Sequence, residues 1–197
     1  MNLFYKLFAK NNRENFDISN LVWSWIGSFL GLFAIAFFHR NFLDDSDLTL
    51  VLSSFGASAV LIYGAINSPL AQPKNLIGGH MVSAIIGVFC YKLFGENLLF
   101  AAAIAVSSSI LVMQLTLTLH PPGGATALIA VIGTPQIHDL GYFFVIYPVF
   151  SGALILFLIA FVINNIPKNR AYPESFKNYL KKKYQRYKRR SLKRDKK

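Results

Sequence analysis

Charge is what the middle of this sequence lacks. From Leu21 to Pro167 it carries Arg40, Lys74 and Lys92 against Asp44, Asp45, Asp47, Glu96 and Asp139, a balance of −2. The stretches 21–38, 48–66 and 98–119 hold no Lys, Arg, Asp or Glu, and 123–163 holds only Asp139, in a loop. Carboxylate proton relays place ionisable residues within membrane spans, so that mechanism is excluded. Cysteine is nearly absent too. A lone Cys90 excludes an intramolecular disulfide framework and reads as a small buried hydrophobe. Four scattered histidines beside one cysteine offer no metal-ligand spacing. No nucleophile elbow or carboxylate pair appears, and Ser107–Ser109 reads as helix packing, so neither an enzyme nor a cofactor is expected. The first twenty residues contain no short apolar run ending in a cleavage site, so no removable secretory signal is expected.

What fills the sequence instead is apolar. Hydrophobic residues make up 54% of the 197, with eighteen Phe and nine Tyr, which is too apolar for an ordinary soluble chain. Leu21–Phe38 is uncharged over eighteen residues, with Trp23 and Trp25 at an interface, and is the first expected span. Asp44–Asp47 follows as an acidic loop, with Asp47 the expected helix N-cap. Leu48–Ile66 is the second span, Leu76–Phe94 the third, Asn97–Leu119 the fourth and Gly141–Ile163 the sixth. Asn67–Lys74 is a proline-bearing loop, and Pro167 and Pro173 mark an exit from the membrane.

The fifth segment is the distinctive one. In LHPPGGATALIAVIG, Leu119 to Gly133, the residue before a proline is pushed towards extended backbone. Proline itself suits the first helical turn, where the N–H it lacks would be unpaired. His120 is therefore expected to end one segment, and Pro121 or Pro122 to start a helix reaching about Gly133. At about 1.5 Å per residue such a helix covers only about half a hydrocarbon core. Gly123 and Gly124 leave its backbone N–H groups open to approach.

A second feature mirrors it. Gly56-Ala57-Ser58-Ala59 lines up with Gly124-Ala125-Thr126-Ala127 at an offset of 68, which also pairs Ser83-Ala84 with Ser151-Gly152. The fold expected is thus an all-α membrane protein of about six helices, long, broken and short, arranged as two inverted three-helix repeats. The small residues at Ser53–Ser58 read either as close packing within a continuous helix or as a helix broken near Ser54, with a new N-terminus at Gly56. In the second case two helix N-termini would converge, each with about half a positive charge and free N–H donors. Such a pocket favours a small anion. The expected substrate-binding residues are Ser54, Phe55, Gly56, Ala57, Ser58, His80, His120, Pro121, Pro122, Gly123, Gly124, Ala125 and Thr126. His120 could cap the pocket, donate to the substrate or take up a co-transported proton. His39 and His138 read as loop or interface residues.

Three regions follow: an N-terminal segment, 1–20; a transmembrane domain, 21–166; and a basic tail, 167–197. Residues 168–197 hold fourteen Lys and Arg against Glu174 and Asp195. A tail of this charge stays cytoplasmic and meets anionic lipid. With both ends cytoplasmic, six crossings are expected, in a cell inner membrane, with Asp44–Asp47 outside and Lys74 inside. Four crossings with 120–133 re-entrant is the competitor. The expected partners are a small anion and the bilayer; self-association into a homo-oligomer stays open, and nucleic acid is not expected because no supporting fold accompanies the charge.

The motif HPPGGATAL, with Ser54–Ala59, Ser68–Pro73 and Asn75–His80, resembles the HPP family of integral membrane proteins across about residues 20–165. The resemblance implies transport, since plastid and cyanobacterial relatives are associated with nitrite. Relatives are usually described with four spans, against six from hydropathy and charge here. Some carry an appended CBS module, which is not expected in these 197 residues. Two classes remain: a carrier or channel for a small anion, and a non-transporting membrane scaffold or sensor whose tail recruits a partner. Paired broken helices favour the first, and a continuous second helix with a dry interior the second.

Overall fold

The computed structural model describes residues 17–176, with 178 and 185; readings that concern 1–16 and the rest of the tail lie outside the described residues. Within them the protein is helical. Helix α1 covers Ile18–His39, α2 Asp45–Ala59, α3 Pro73–Phe94, α4 Leu98–Leu115, α5 Pro121–Ile132, α6 Pro135–Leu140 and α7 Ser151–Ile163. A π turn, Val60–Gly64, prolongs α2, and a second, Val145–Phe150, leads into α7. Five of these stretches are long and apolar enough to cross a membrane, and α5 is the short sixth.

Local chemistry sets several boundaries. Asn97 caps α4 by accepting from the Phe100 N–H. Asp44, not Asp47, caps α2, accepting from the Asp47 N–H at 2.8 Å. Freed from capping, Asp47 is fully buried and its carboxylate takes the N–H (3.0 Å) and hydroxyl of Thr134. The acidic run expected as a loop is therefore the cap and first turn of a helix. Helix α2 runs unbroken through Ser54 and Gly56, so the expected break and fresh N-terminus at Gly56 are not there. Of its small residues Ser54, Ser58 and Ala59 are buried, whereas Ser53 and Ala57 are exposed. The interrupted span is the last one, where Tyr147 takes extended angles before Pro148.

Contacts fix the path of the chain. Asn75, in the first turn of α3, donates to the Leu119 carbonyl at 2.8 Å, and Thr134 meets Asp47 at the start of α2. The end of α2 and the start of α3 lie at one end of the bundle, and the start of α2 at the other. The non-helical residues 116–120 together with α5 thus cross from end to end, although α5 alone is only about 18 Å long. Asp17 and Asn169 are hydrogen-bonded, so both ends of the described chain emerge at the same end.

Without a hydrophobic drive between helices in lipid, close van der Waals packing and interhelical hydrogen bonds hold the bundle. Helices α3, α4 and α5 pack mutually, and α1 packs against α2 and α7. Tyr63 and Leu156 fill the space left by Gly27 and Gly31, and Phe55 lies on Gly152, where an added Cβ would stand 2.5 Å from its ring. Cys90 is buried in an alanine-rich cluster. His39, expected at an interface, is fully buried: its ring bonds Ser151 Oγ at 2.9 Å and stacks on Tyr147. His138 stacks on Tyr91 at 3.7 Å.

After α7 the chain folds back. Arg170, 8% exposed, donates to the Tyr63 and Asn20 carbonyls and to Ser24 Oγ. The Tyr172 hydroxyl donates to the Ala71 carbonyl at 2.7 Å, and burial pushes its pKa above the ordinary tyrosine value. Arg170 thus satisfies the Tyr63 carbonyl at the end of the π turn that prolongs α2, a favourable place for a cation.

Candidate functional site

Helix α5 starts as its sequence requires. His120 is extended (φ −140°, ψ 104°), Pro121 and Pro122 occupy the first turn, and Gly133 follows the last residue. Pro122 lies beside Ser54, the tenth residue of α2, so α5 begins partway along the bundle rather than at its end. Segment 116–120 reaches that depth because α3 offers no side chain in its way. A Cβ on Gly78 would stand 2.8 Å from Thr118, and one on Gly79 2.5 Å from His120 Cβ.

Five buried polar side chains meet at this point. Ser58 Oγ lies 2.8 Å from His80 Nε2 and 2.9 Å from His120 Nε2. His80 Nδ1 lies 2.7 Å from Thr126 Oγ1, which lies 2.9 Å from Ser54 Oγ. Ser54 donates to the Pro122 carbonyl at 3.0 Å. At the other end His120 Nδ1 donates to the Leu70 carbonyl at 2.8 Å. The result is one continuous chain of hydrogen bonds joining α2, α3, α5 and the turn Pro69–Ala71. Phe55 covers one face of the His80 ring, centroid to centroid 4.8 Å, and His80 meets His120 edge to face at 4.9 Å.

Ser54, Phe55, Ser58, His80, His120, Pro122 and Thr126 therefore gather as expected. Gly123 is buried beside them, packed so closely on α3 that a Cβ would come 2.7 Å from Ser83 Oγ and 3.0 Å from the Gly79 carbonyl. Ala57, Pro121 and Ala125 do not join: they are exposed on the outer faces of α2 and α5. Gly56 and Gly124 are half-exposed, with no atom within 4 Å of a Gly56 Cβ and only Val106, at 3.7 Å, near one on Gly124. The reason is angular. Consecutive helical residues point about 100° apart, so a run such as Ser54–Ser58 cannot all face one site. Sequence reasoning missed Ser83, one turn beyond His80, and Met113, whose sulfur accepts from the Ser83 hydroxyl. The spacing 80–83 was the available signal for Ser83; the Leu70 carbonyl left none.

Polar groups buried in a membrane bundle are costly and mark functional sites by default. Helix α5 adds the positive end of its dipole, but the Gly123 N–H, expected to be open, donates to the His120 carbonyl at 2.8 Å, which leaves Gly124 as the next residue with an N–H there. Among the described residues no three His, Cys, Asp or Glu side chains gather to hold a metal ion. The site is built of neutral donors and acceptors around one helix end.

Comparison with known proteins agrees with this description. A family model for the HPP transmembrane region matches residues 13–173. Two transmembrane proteins of Dictyostelium discoideum are 47% and 43% identical over 160 residues, 80% of this chain. The chain spans about half the length of these relatives, 56% and 51%. No solved structure matches. A match over the whole membrane bundle, the His120-Pro121-Pro122 start of α5 included, places this chain in the HPP transmembrane family.

Proposed function

We propose that this protein transports a small inorganic anion across a membrane, with nitrite the first candidate. One observation carries the reading: five buried polar side chains surround the N-terminus of a half-length helix that starts partway along the bundle. A helix end of about half a charge holds an anion weakly, which suits a substrate that must also leave. Nitrite fits the sign of such a site, and the family resemblance points to it.

The inverted repeat belongs to the same proposal. In its support, α1 packs on α7, α3 on α4 and α2 on α5, as an exchange of two three-helix units would require. Ser54 and Pro122, 68 residues apart, touch directly. The charge rule would put the end bearing Asp17 and Asn169 in the cytoplasm of the cell and the Asp44–Asp47 end outside, with anionic lipid against the basic tail.

The continuous α2 favours a second reading, a membrane scaffold or sensor, because only one of two expected helix ends exists. The polar interior favours transport. Uptake of nitrite into sealed proteoliposomes, with nitrate, formate and chloride as competitors, decides between them. Transport predicts saturable uptake that Thr126→Val lowers at least tenfold while the protein still elutes as a folded species. Absence of uptake for all four anions, with and without a pH gradient, overturns transport.

A further inference from the structure

The hydrogen-bond chain of the site is one proton short. From Leu70 O to Pro122 O it has six contacts, and both ends are carbonyls that can only accept. Each contact needs one proton. With both imidazoles neutral, His120, Ser58, His80, Thr126 and Ser54 supply one each, five in all. His120 must donate from Nδ1 to the Leu70 carbonyl, so its Nε2 takes the Ser58 proton. Ser54 donates to the Pro122 carbonyl, so Thr126 donates to Ser54 and His80 from Nδ1 to Thr126, and nothing is left for the contact of Ser58 with His80 Nε2. The one other outlet, Ser58 to the Ser54 carbonyl, is the longest contact at 3.4 Å and would take the proton from His120.

A sixth proton completes every contact, and it fits in two places. On His80, both ring nitrogens donate, to Ser58 and Thr126, while Ser58 donates to His120. On His120, both nitrogens donate, Ser58 turns to His80, and the remaining contacts run the same way. The two arrangements interconvert when the Ser58 hydroxyl exchanges one proton for another. The groups facing this unit are Ser54, Phe55 and Ser58 from α2, Gly79, His80 and Ser83 from α3, Met113 from α4, and Thr118 before α5. Pro122 and Thr126 of α5 and the Leu70 carbonyl complete the set. No carboxylate is among these groups, and the α5 N-terminus is itself positive. A cation there has no resident counter-charge, so an anion at the same site is its natural partner.

We infer that His80 and His120 share one extra proton through Ser58, and that this proton enters and leaves with the transported anion, making the transport an electroneutral anion–proton symport. In the step, a proton from the aqueous phase adds to the free nitrogen lone pair of one imidazole as the anion enters. Both are released on the opposite side, leaving the neutral chain. This rests on the transport reading, and its test is separable from it.

The test is a pH titration of the full chain in nanodiscs, labelled with ¹⁵N-histidine and observed by NMR, with and without sodium nitrite. One titration step seen in both rings is expected, with a total of one proton. Ser58→Ala should split it into two independent steps, whereas Ser58→Thr should preserve it. Nitrite should raise the midpoint by about one pH unit, a roughly tenfold coupling. Independent titration of the two rings in the unmodified chain, or no titration at any pH where the protein stays folded, overturns the shared proton. A shared step that nitrite leaves in place overturns symport, while transport itself is judged separately by the uptake assay.

Discussion

Gly79 and His120 are packed back to back: a Cβ on Gly79 would stand 2.5 Å from the His120 Cβ and 2.8 Å from the Thr118 carbonyl oxygen. The neighbours are backbone and a β-carbon, so neither can swing aside. Gly79→Ala should therefore push segment 118–120 off α3. The expected cost is about 1–3 kcal/mol, the usual range for overpacking, read as a lower melting temperature in detergent. The same shift would lengthen the His120–Ser58 contact and reduce uptake.

Gly123 and Gly124 should behave oppositely although they are neighbours. Gly123→Ala meets Ser83 Oγ at 2.7 Å and the Gly79 carbonyl at 3.0 Å, whereas Gly124→Ala meets only Val106 at an ordinary 3.7 Å. The first variant should lose stability, and the second should match the parent or gain a few tenths of a kcal/mol from restricting the unfolded chain. Thermal melts of the pair in one detergent check this. Equal melting temperatures would show that α5 does not sit against α3 as described.

Asp47 holds the far end of the bundle together through Thr134. Asp47→Ala leaves the Thr134 N–H without its acceptor and the hydroxyl with only Asp44 Oδ2 at 3.4 Å, at a cost of about 1–3 kcal/mol for a group left unpaired. Hydrogen exchange should show the start of α6 opening first, because Thr134 is its N-cap.

Arg170 fastens residues 164–174 to the bundle through bonds to the Tyr63 and Asn20 carbonyls. Hydrogen bonds to charged groups are worth about 1.5–3 kcal/mol. Arg170→Met should accordingly speed trypsin cleavage after Lys168 by at least roughly tenfold. Arg170→Lys, with a single donor head in place of a fork, should fall between the two.

The crossing of residues 116–134 has a direct check in labelling. In a Cys90→Ala background, Leu117→Cys and Asp139→Cys should react with an impermeant maleimide from opposite sides of a sealed vesicle. Leu117 is 73% exposed and so available to the reagent. Labelling from one side would make the segment re-entrant.

The sequence by itself determined the long helices, although α4 stops at Leu115 rather than Leu119 and the short α6, Pro135–Leu140, was not foreseen. Uncharged runs of membrane length mark the spans, and His120-Pro121-Pro122 places the start of α5 to within one residue, because proline chemistry acts on its nearest neighbours in the chain. It also named Ser54, Ser58, His80, His120 and Thr126. Tertiary structure decided what these residues do together. Whether α2 breaks at Gly56 depends on what packs against it, and small residues suit a helix end and a close helix contact equally well. Which of Ser54 to Ser58 face inward follows from the rotation of α2 against α5, which adjacent sequence cannot report. The role of the Leu70 carbonyl was silent, since every residue has one. The proton count is a property of the closed chain of contacts, and the contacts exist only once three helices and a turn have met.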